Sequence, residues 1–172
     1  KILFICQYYY PERIGLTDIC EYLVKKDYDV TVLTGLPNYP EGKVPKEYKF
    51  YKKRKETING VKVKRCFEIG RRKGKIWLAI NYISFLFSSV FHALFLGGKY
   101  DEVICYQHSP ITMGVSAVLY KKLYKKPLTL YCFDLWPESI KTYNIKENNI
   151  IFKIFKKVSK FVYKNCNKIL IS

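Results

Sequence analysis

Asp134, Trp136 and Glu138 stand within five residues of one another, just past the apolar, β-rich run Leu128 to Phe133. Such a run, closed by polar residues and Pro137, reads as a buried strand whose C-terminal end opens into a loop. Ligands of open α/β sheets bind outside the carboxyl ends of the strands. Two carboxylates and an indole are therefore set where chemistry usually happens. A plainer possibility stands beside it: Asp134 caps a turn and Trp136 packs beneath the loop. Comparable positions recur upstream. Glu12 and Gly15 follow the apolar run Ile2 to Gln7, Asn38 and Tyr39 follow Asp29 to Thr34, and His108 follows Asp101 to Tyr106.

The elements that must position these residues can be taken in order. Ile2 to Gln7 is apolar on both faces, as central parallel strands are. Leu16, Ile19, Cys20, Leu23 and Val24 recur at helical spacing, which predicts a helix from about Ile14 to Lys26. Asp27 follows where a left-handed glycine would be usual. Asp29 to Thr34 is a second strand, and Gly35 to Gly42 a loop rich in turn formers, so the chain opens as a βαβ unit. G-x-G-x-x-G is absent after the first strand, which sets aside a nicotinamide or flavin cofactor. Asn59-Gly60 signals a turn before Val61 to Phe67, an alternating strand with one apolar face, which with the basic stretch before it reads as a solvated loop and an edge strand.

Ile76 to Leu96 is 21 residues without a formal charge, and as a helix it would measure roughly 30 Å, enough to cross a bilayer core. Asn81, Ser84, Ser88, Ser89 and His92 argue for a core or surface-docked helix instead. A monotopic helix dipping into a lipid interface stays open. Ile111 to Leu123 is a helix between the strand Asp101 to Tyr106 and the strand Leu128 to Phe133. Ile150 to Cys166 is a basic amphipathic helix, suited to a membrane surface or to covering a sheet with its lysines in water. Lys168 to Ser172 begins one more strand. The expected fold is α/β: a Rossmann-like parallel β-sheet flanked by helices.

Of 172 residues, 49% are hydrophobic and 17% aromatic, which excludes a disordered tail. Lysine and arginine number 31 against 14 acids, a net +17 that implies an anionic partner. The stretch Lys43 to Lys75 carries +11 of that total. The six cysteines are scattered without a CxxC pair, so no zinc or thioredoxin-like motif is suggested. Cys6, Cys105 and Cys132 read as buried free thiols in a reducing, cytosolic setting. No secretory signal is visible in the first residues.

Four stretches together resemble the N-terminal domain of a GT-B glycosyltransferase of family 4, most of all the bacterial enzymes that build lipid-linked O-antigen or capsule precursors. Tyr9-Tyr-Pro-Glu12 is similar to that family's Y-x-P-E. Thr31 to Pro40 looks like its V-T-V-L-T-G-x-P-N-Y-P, and His108-Ser-Pro110 matches its H-x-P or S-x-P. Asp134-Leu-Trp-Pro-Glu-Ser139 resembles its D-L-W-P-E-S. The likeness implies the N-terminal half of a GT-B fold, truncated before a donor-binding domain. It also implies a retaining reaction with no metal and no cofactor.

Under that likeness His108 would hydrogen-bond the sugar or its leaving phosphate, although a plain hydrogen-bonding histidine is equally compatible. Asp134 and Glu138 would orient acceptor hydroxyls, and Trp136 would stack on a sugar ring. Gly15 would let the first loop approach a phosphate or sugar closely, with Leu16 standing where the family often has a second small residue. Glu12, Asn38 and Tyr39 would flank the same cleft. The implied partners are a nucleotide-sugar donor, held by the second domain, and a lipid-linked glycan acceptor. The third is the anionic inner face of the plasma membrane, on which a cytoplasmic protein would sit peripherally. Two rivals remain. A basic nucleic-acid-binding α/β domain accounts for the charge and tyrosines, but not for Asp134 and Glu138 at a strand end; nucleic acid is therefore not the expected partner. A scaffold subunit of a split membrane glycosyltransferase is the other.

Overall fold

A computed structural model of the chain describes residues 1–12 and 14–171. The β-strands are β1 (Ile2–Ile5), β2 (Val30–Thr34), β3 (Lys55–Ile58), β4 (Val61–Arg65), β5 (Glu102–Gln107), β6 (Leu128–Cys132) and β7 (Lys168–Ile171). They form one sheet in the order β3-β4-β2-β1-β5-β6-β7, parallel throughout except for the β3–β4 hairpin. The α-helices are α1 (Leu16–Lys25), α2 (Lys75–Leu94), α3 (Met113–Tyr124) and α4 (Ile150–Asn165). The expected Rossmann-like α/β fold is the one found.

Two-sided burial explains the central strands. Every residue of β1 and β2 is buried, because hydrogen-bonded neighbours flank each strand and helices cover both faces. On one face Leu3, Ile5, Val103, Cys105, Leu128 and Leu130 pack against α2, α3 and α4. On the other, Ile2, Phe4, Val30, Val32, Val61 and Val63 pack against Leu16 and Cys20 of α1. Asp27 ends the first βα unit at φ 63°, the left-handed position its place in the sequence suggested. Asn149 caps α4 by accepting the Ile151 N–H at 2.8 Å. That helix buries Phe152 and Val162 and keeps its lysines outside, so it is a sheet-covering helix with a solvated basic face.

The sequence expectations change at three places. The strand beginning at Val61 is internal, and the edge is β3, whose KETI sequence carries no apolar alternation. It is held by the turn at Asn59 (φ 49°) and Gly60 (φ 84°) and by side chains from β4. The inner face of β4 does not continue as an apolar stripe, since after Val61 and Val63 its third inward residue is the buried Arg65. Glu138 to Tyr143, read only as loop, forms a 3-10 turn.

Candidate functional site at the strand-order reversal

From β1 the chain builds outward in one direction through β2 and β4, and in the other through β5, β6 and β7. At that reversal the loops after β1 and β5 lead to helices on opposite faces, and the carboxyl edge of the sheet there is where open α/β sheets hold their ligands. Gln107, fully buried at the end of β5, ties two loops together. Its Nε2 donates to the carbonyls of His108 (2.8 Å) and Asp134 (3.0 Å). The Phe133 N–H returns a bond to the Gln107 carbonyl at 3.0 Å.

This scaffold brings His108, Ser109 and Asp134 together. The Ser109 hydroxyl donates to Asp134 Oδ2 at 2.5 Å. The His108 imidazole lies flat on Phe133, with ring centres 4.5 Å apart and planes 12° apart, and stands edge-on to Tyr106 at 5.2 Å. Burial holds His108 below the usual histidine range, while the Asp134 carboxylate pulls it back up. The ring is therefore neutral at neutral pH. Its Nε2 is enclosed and has no hydrogen-bond partner among the described residues. A neutral, half-buried imidazole beside a carboxylate already oriented by a hydroxyl can bind a polar ligand group without bringing in a charge of its own.

Gly15 lies beside β5 at the same edge. A methyl group there would meet the Tyr106 hydroxyl at 3.5 Å, an ordinary contact, and its φ of −61° suits any residue. The glycine leaves room there without being required by the backbone. Glu138 is exposed in the 3-10 turn at the rim. Trp136 needs correction as a sugar-stacking residue. It is buried beneath the loop with its ring 4.6 Å from Phe155, and its backbone is clasped at both N–H and carbonyl by the Tyr163 hydroxyl. Glu138 is thus exposed and Asp134 half-buried against Ser109, while the indole between them anchors their loop to α4.

Glu12 and Asn38 also turn inward. The Glu12 carboxylate accepts the backbone N–H groups of Asn38 (2.8 Å), Tyr39 (2.7 Å) and Tyr9 (3.3 Å). Burial raises its pKa against those donors and the Arg65 charge, which lower it. It fastens the loop after β1 to the loop after β2, so its expected role as a substrate ligand gives way to positioning. Asn38 is equally committed. It donates to the Leu36 carbonyl and to Glu68, and accepts the Arg71 N–H at 3.0 Å. Of this group only Tyr39 is open, with the Arg71 guanidinium over its ring.

Behind these loops lies a buried polar cluster absent from the sequence-based expectations. Glu68 Oε1 accepts from Gln7 Nε2 (2.7 Å), Asn81 Nδ2 (2.6 Å) and Asn38 Nδ2 (3.2 Å). Burial pushes the Glu68 carboxyl up to about 8, above its three donors' lowering effect. Arg65 reaches from β4 to Glu56, to the Tyr10 carbonyl at 2.6 Å and over the Tyr48 ring. One cue could have found Gln7 and Gln107: each is the first polar residue after an unbroken apolar run, the same cue that marked Asp134.

Among the described residues no three His, Cys, Asp or Glu converge as a metal site. No model of a known protein family matches the chain, and no curated protein is similar to it. The fold defines a class: a doubly wound α/β domain with polar side chains gathered at its strand-order reversal.

Proposed function

We propose that this chain is the acceptor-binding, Rossmann-like half of a retaining glycosyltransferase. It would move a sugar from a nucleotide-sugar donor to a lipid-linked glycan at the inner face of the membrane. The observation that carries this reading is the trio at the carboxyl edge: the Ser109–Asp134 pair beside the neutral, half-buried imidazole of His108. The four sequence resemblances point the same way.

In this scheme the Asp134 carboxylate accepts a hydrogen bond from the acceptor hydroxyl and Ser109 keeps it from rotating away. His108, neutral and stacked on Phe133, meets the sugar or the leaving phosphate with the accessible part of its half-buried imidazole. The anomeric carbon exchanges its bond to the diphosphate oxygen for one to the acceptor oxygen. The acceptor hydroxyl's proton passes to the departing diphosphate oxygen, and the nucleoside diphosphate leaves from the donor-binding half. Glu12 and Asn38 act indirectly, by holding the loops that frame the site.

The test is equilibrium binding of a short-chain polyprenyl-diphosphate sugar to the chain. Asp134→Asn and His108→Ala should each weaken binding by about tenfold, the effect of losing one hydrogen bond to a charged or enclosed group. The exposed Tyr22→Ala should leave it unchanged. Equal affinity in all four proteins would rule this edge out as the acceptor site.

A further inference from the structure

Helix α2 is turned inside out. Surface helices direct their apolar stripe toward the core, as α1 and α4 do here. In α2 the side against the protein carries Asn81, Phe85, Ser89 and Ala93. Its polar side chains are pinned to the segment after β4. Asn81 Nδ2 donates to Glu68 and to the Ile69 carbonyl at 2.7 Å, Ser84 Oγ accepts the Ile69 N–H at 3.0 Å, and Ser88 Oγ donates to the Phe67 carbonyl. The outer side carries Ile76, Ile83, Phe87, Phe91 and Phe95, which are 53–76% exposed. Phe91 and Phe95 pack on each other at 4.9 Å, and no described element covers them.

The charges around this stripe have one sign. No acid occurs between Glu68 and Asp101, while Arg71, Arg72 and Lys73 precede the helix, Lys75 opens it and Lys99 follows it. The Arg72 guanidinium lies 3.9 Å over the Trp77 ring, an amphipathic pair of the kind that settles at headgroup depth. An apolar ridge between basic ends is complementary to the surface of an anionic bilayer. Length alone would let α2 cross a membrane, but crossing would strip Asn81, Ser84, Ser88 and Glu68 of their partners. We infer that α2 docks this domain on anionic lipid while lying in the plane of the membrane, its phenyl ridge in the acyl boundary and its basic N-terminal end among the headgroups. Lys75 Nζ reaches the Tyr143 carbonyl at 3.5 Å, so the 3-10 turn carrying Glu138 meets the lipid surface beside that end.

None of this requires sugar transfer, and the test contains no glycolipid. The whole chain is mixed with vesicles of roughly one-third phosphatidylglycerol in phosphatidylcholine, or of phosphatidylcholine alone. Binding is expected to the first, reduced by salt and by omission of the anionic lipid. Phe87→Ser/Phe91→Ser, at exposed positions, should keep the melting temperature and lose about tenfold or more in partitioning. In a separate Phe87→Trp protein, new fluorescence should be quenched best by bromines near the top of the acyl chains. Quenching strongest at the bilayer centre would mean a spanning helix, and unchanged partitioning of the double serine variant would remove the ridge from the interface. A dimer that the serine pair converts to monomer, without vesicle binding by the parent, would assign the ridge to a second copy. Each of these three results overturns the proposal.

Discussion

At Glu68 the chain places a carboxyl group in a space that water does not reach. Three amide donors converge on Oε1, while Oε2 lies against Gly35 without a partner. With its pKa raised from 4.5 to about 8, the folded protein keeps a proton that the unfolded chain has released. The sign follows: stability from this group is full below about pH 4.5, falls as pH rises, and is gone above about pH 8. Within that window the slope reaches at most about 1.4 kcal/mol per pH unit. Glu68→Gln retains the neutral amide-like shape and should flatten the fall in melting temperature between pH 5 and 8; a parallel fall in both proteins would show that Glu68 is ionised in the folded state. Gly35 is needed for the same reason. A Cβ there would lie 1.7 Å from Glu68 Oε2 and 2.9 Å from the Gln7 carbonyl. Gly35→Ala should cost roughly 2–3 kcal/mol in denaturant unfolding, with much of that cost removed in a Glu68→Ala background.

At the scale of elements, the β3–β4 hairpin depends on one buried cation. Arg65 Nε and Nη2 both donate to Glu56 Oε1, at 2.9 and 2.8 Å, and the guanidinium has no exposed surface. Replacing a buried pair can be neutral, but removing one partner leaves a charge stranded. Arg65→Met should therefore destabilise by about 3 kcal/mol and speed amide exchange in Lys55–Ile58 more than in the central strands. Restoration of stability by adding Glu56→Leu would tie the cost to the stranded carboxylate. Helices α1 and α4 were legible because each repeats apolar residues along the side that meets the sheet. Helix α2 was legible only as a helix. Its composition is apolar nearly all round, so periodicity carried no sign of which side faces protein, and the hydrogen bonds of Asn81, Ser84 and Ser88 decide it.

At the scale of the molecule, α2, α3 and α4 cover one face of the sheet, α1 covers part of the other, and the strand order reverses between them. The fold class was readable from residue order alone. Strands buried on both faces must be continuous apolar runs, and runs alternating with helical periods must wind into a largely parallel sheet. Asp134 and His108 were readable as polar residues at strand ends. The rest was decided by tertiary structure, because it depends on convergence between distant residues. Gln7, Asn38, Glu68 and Asn81 span 74 positions, and each by itself looks like an ordinary loop or helix residue. Only folding removes them from water together, which makes one carboxyl a proton holder and turns Glu12 and Asn38 from candidate ligands into loop fasteners. The same limit applies to Trp136. An indole at a strand end suits a ligand ring and a packed core equally, and the approach of Phe155 and Tyr163 from α4 places it in the core.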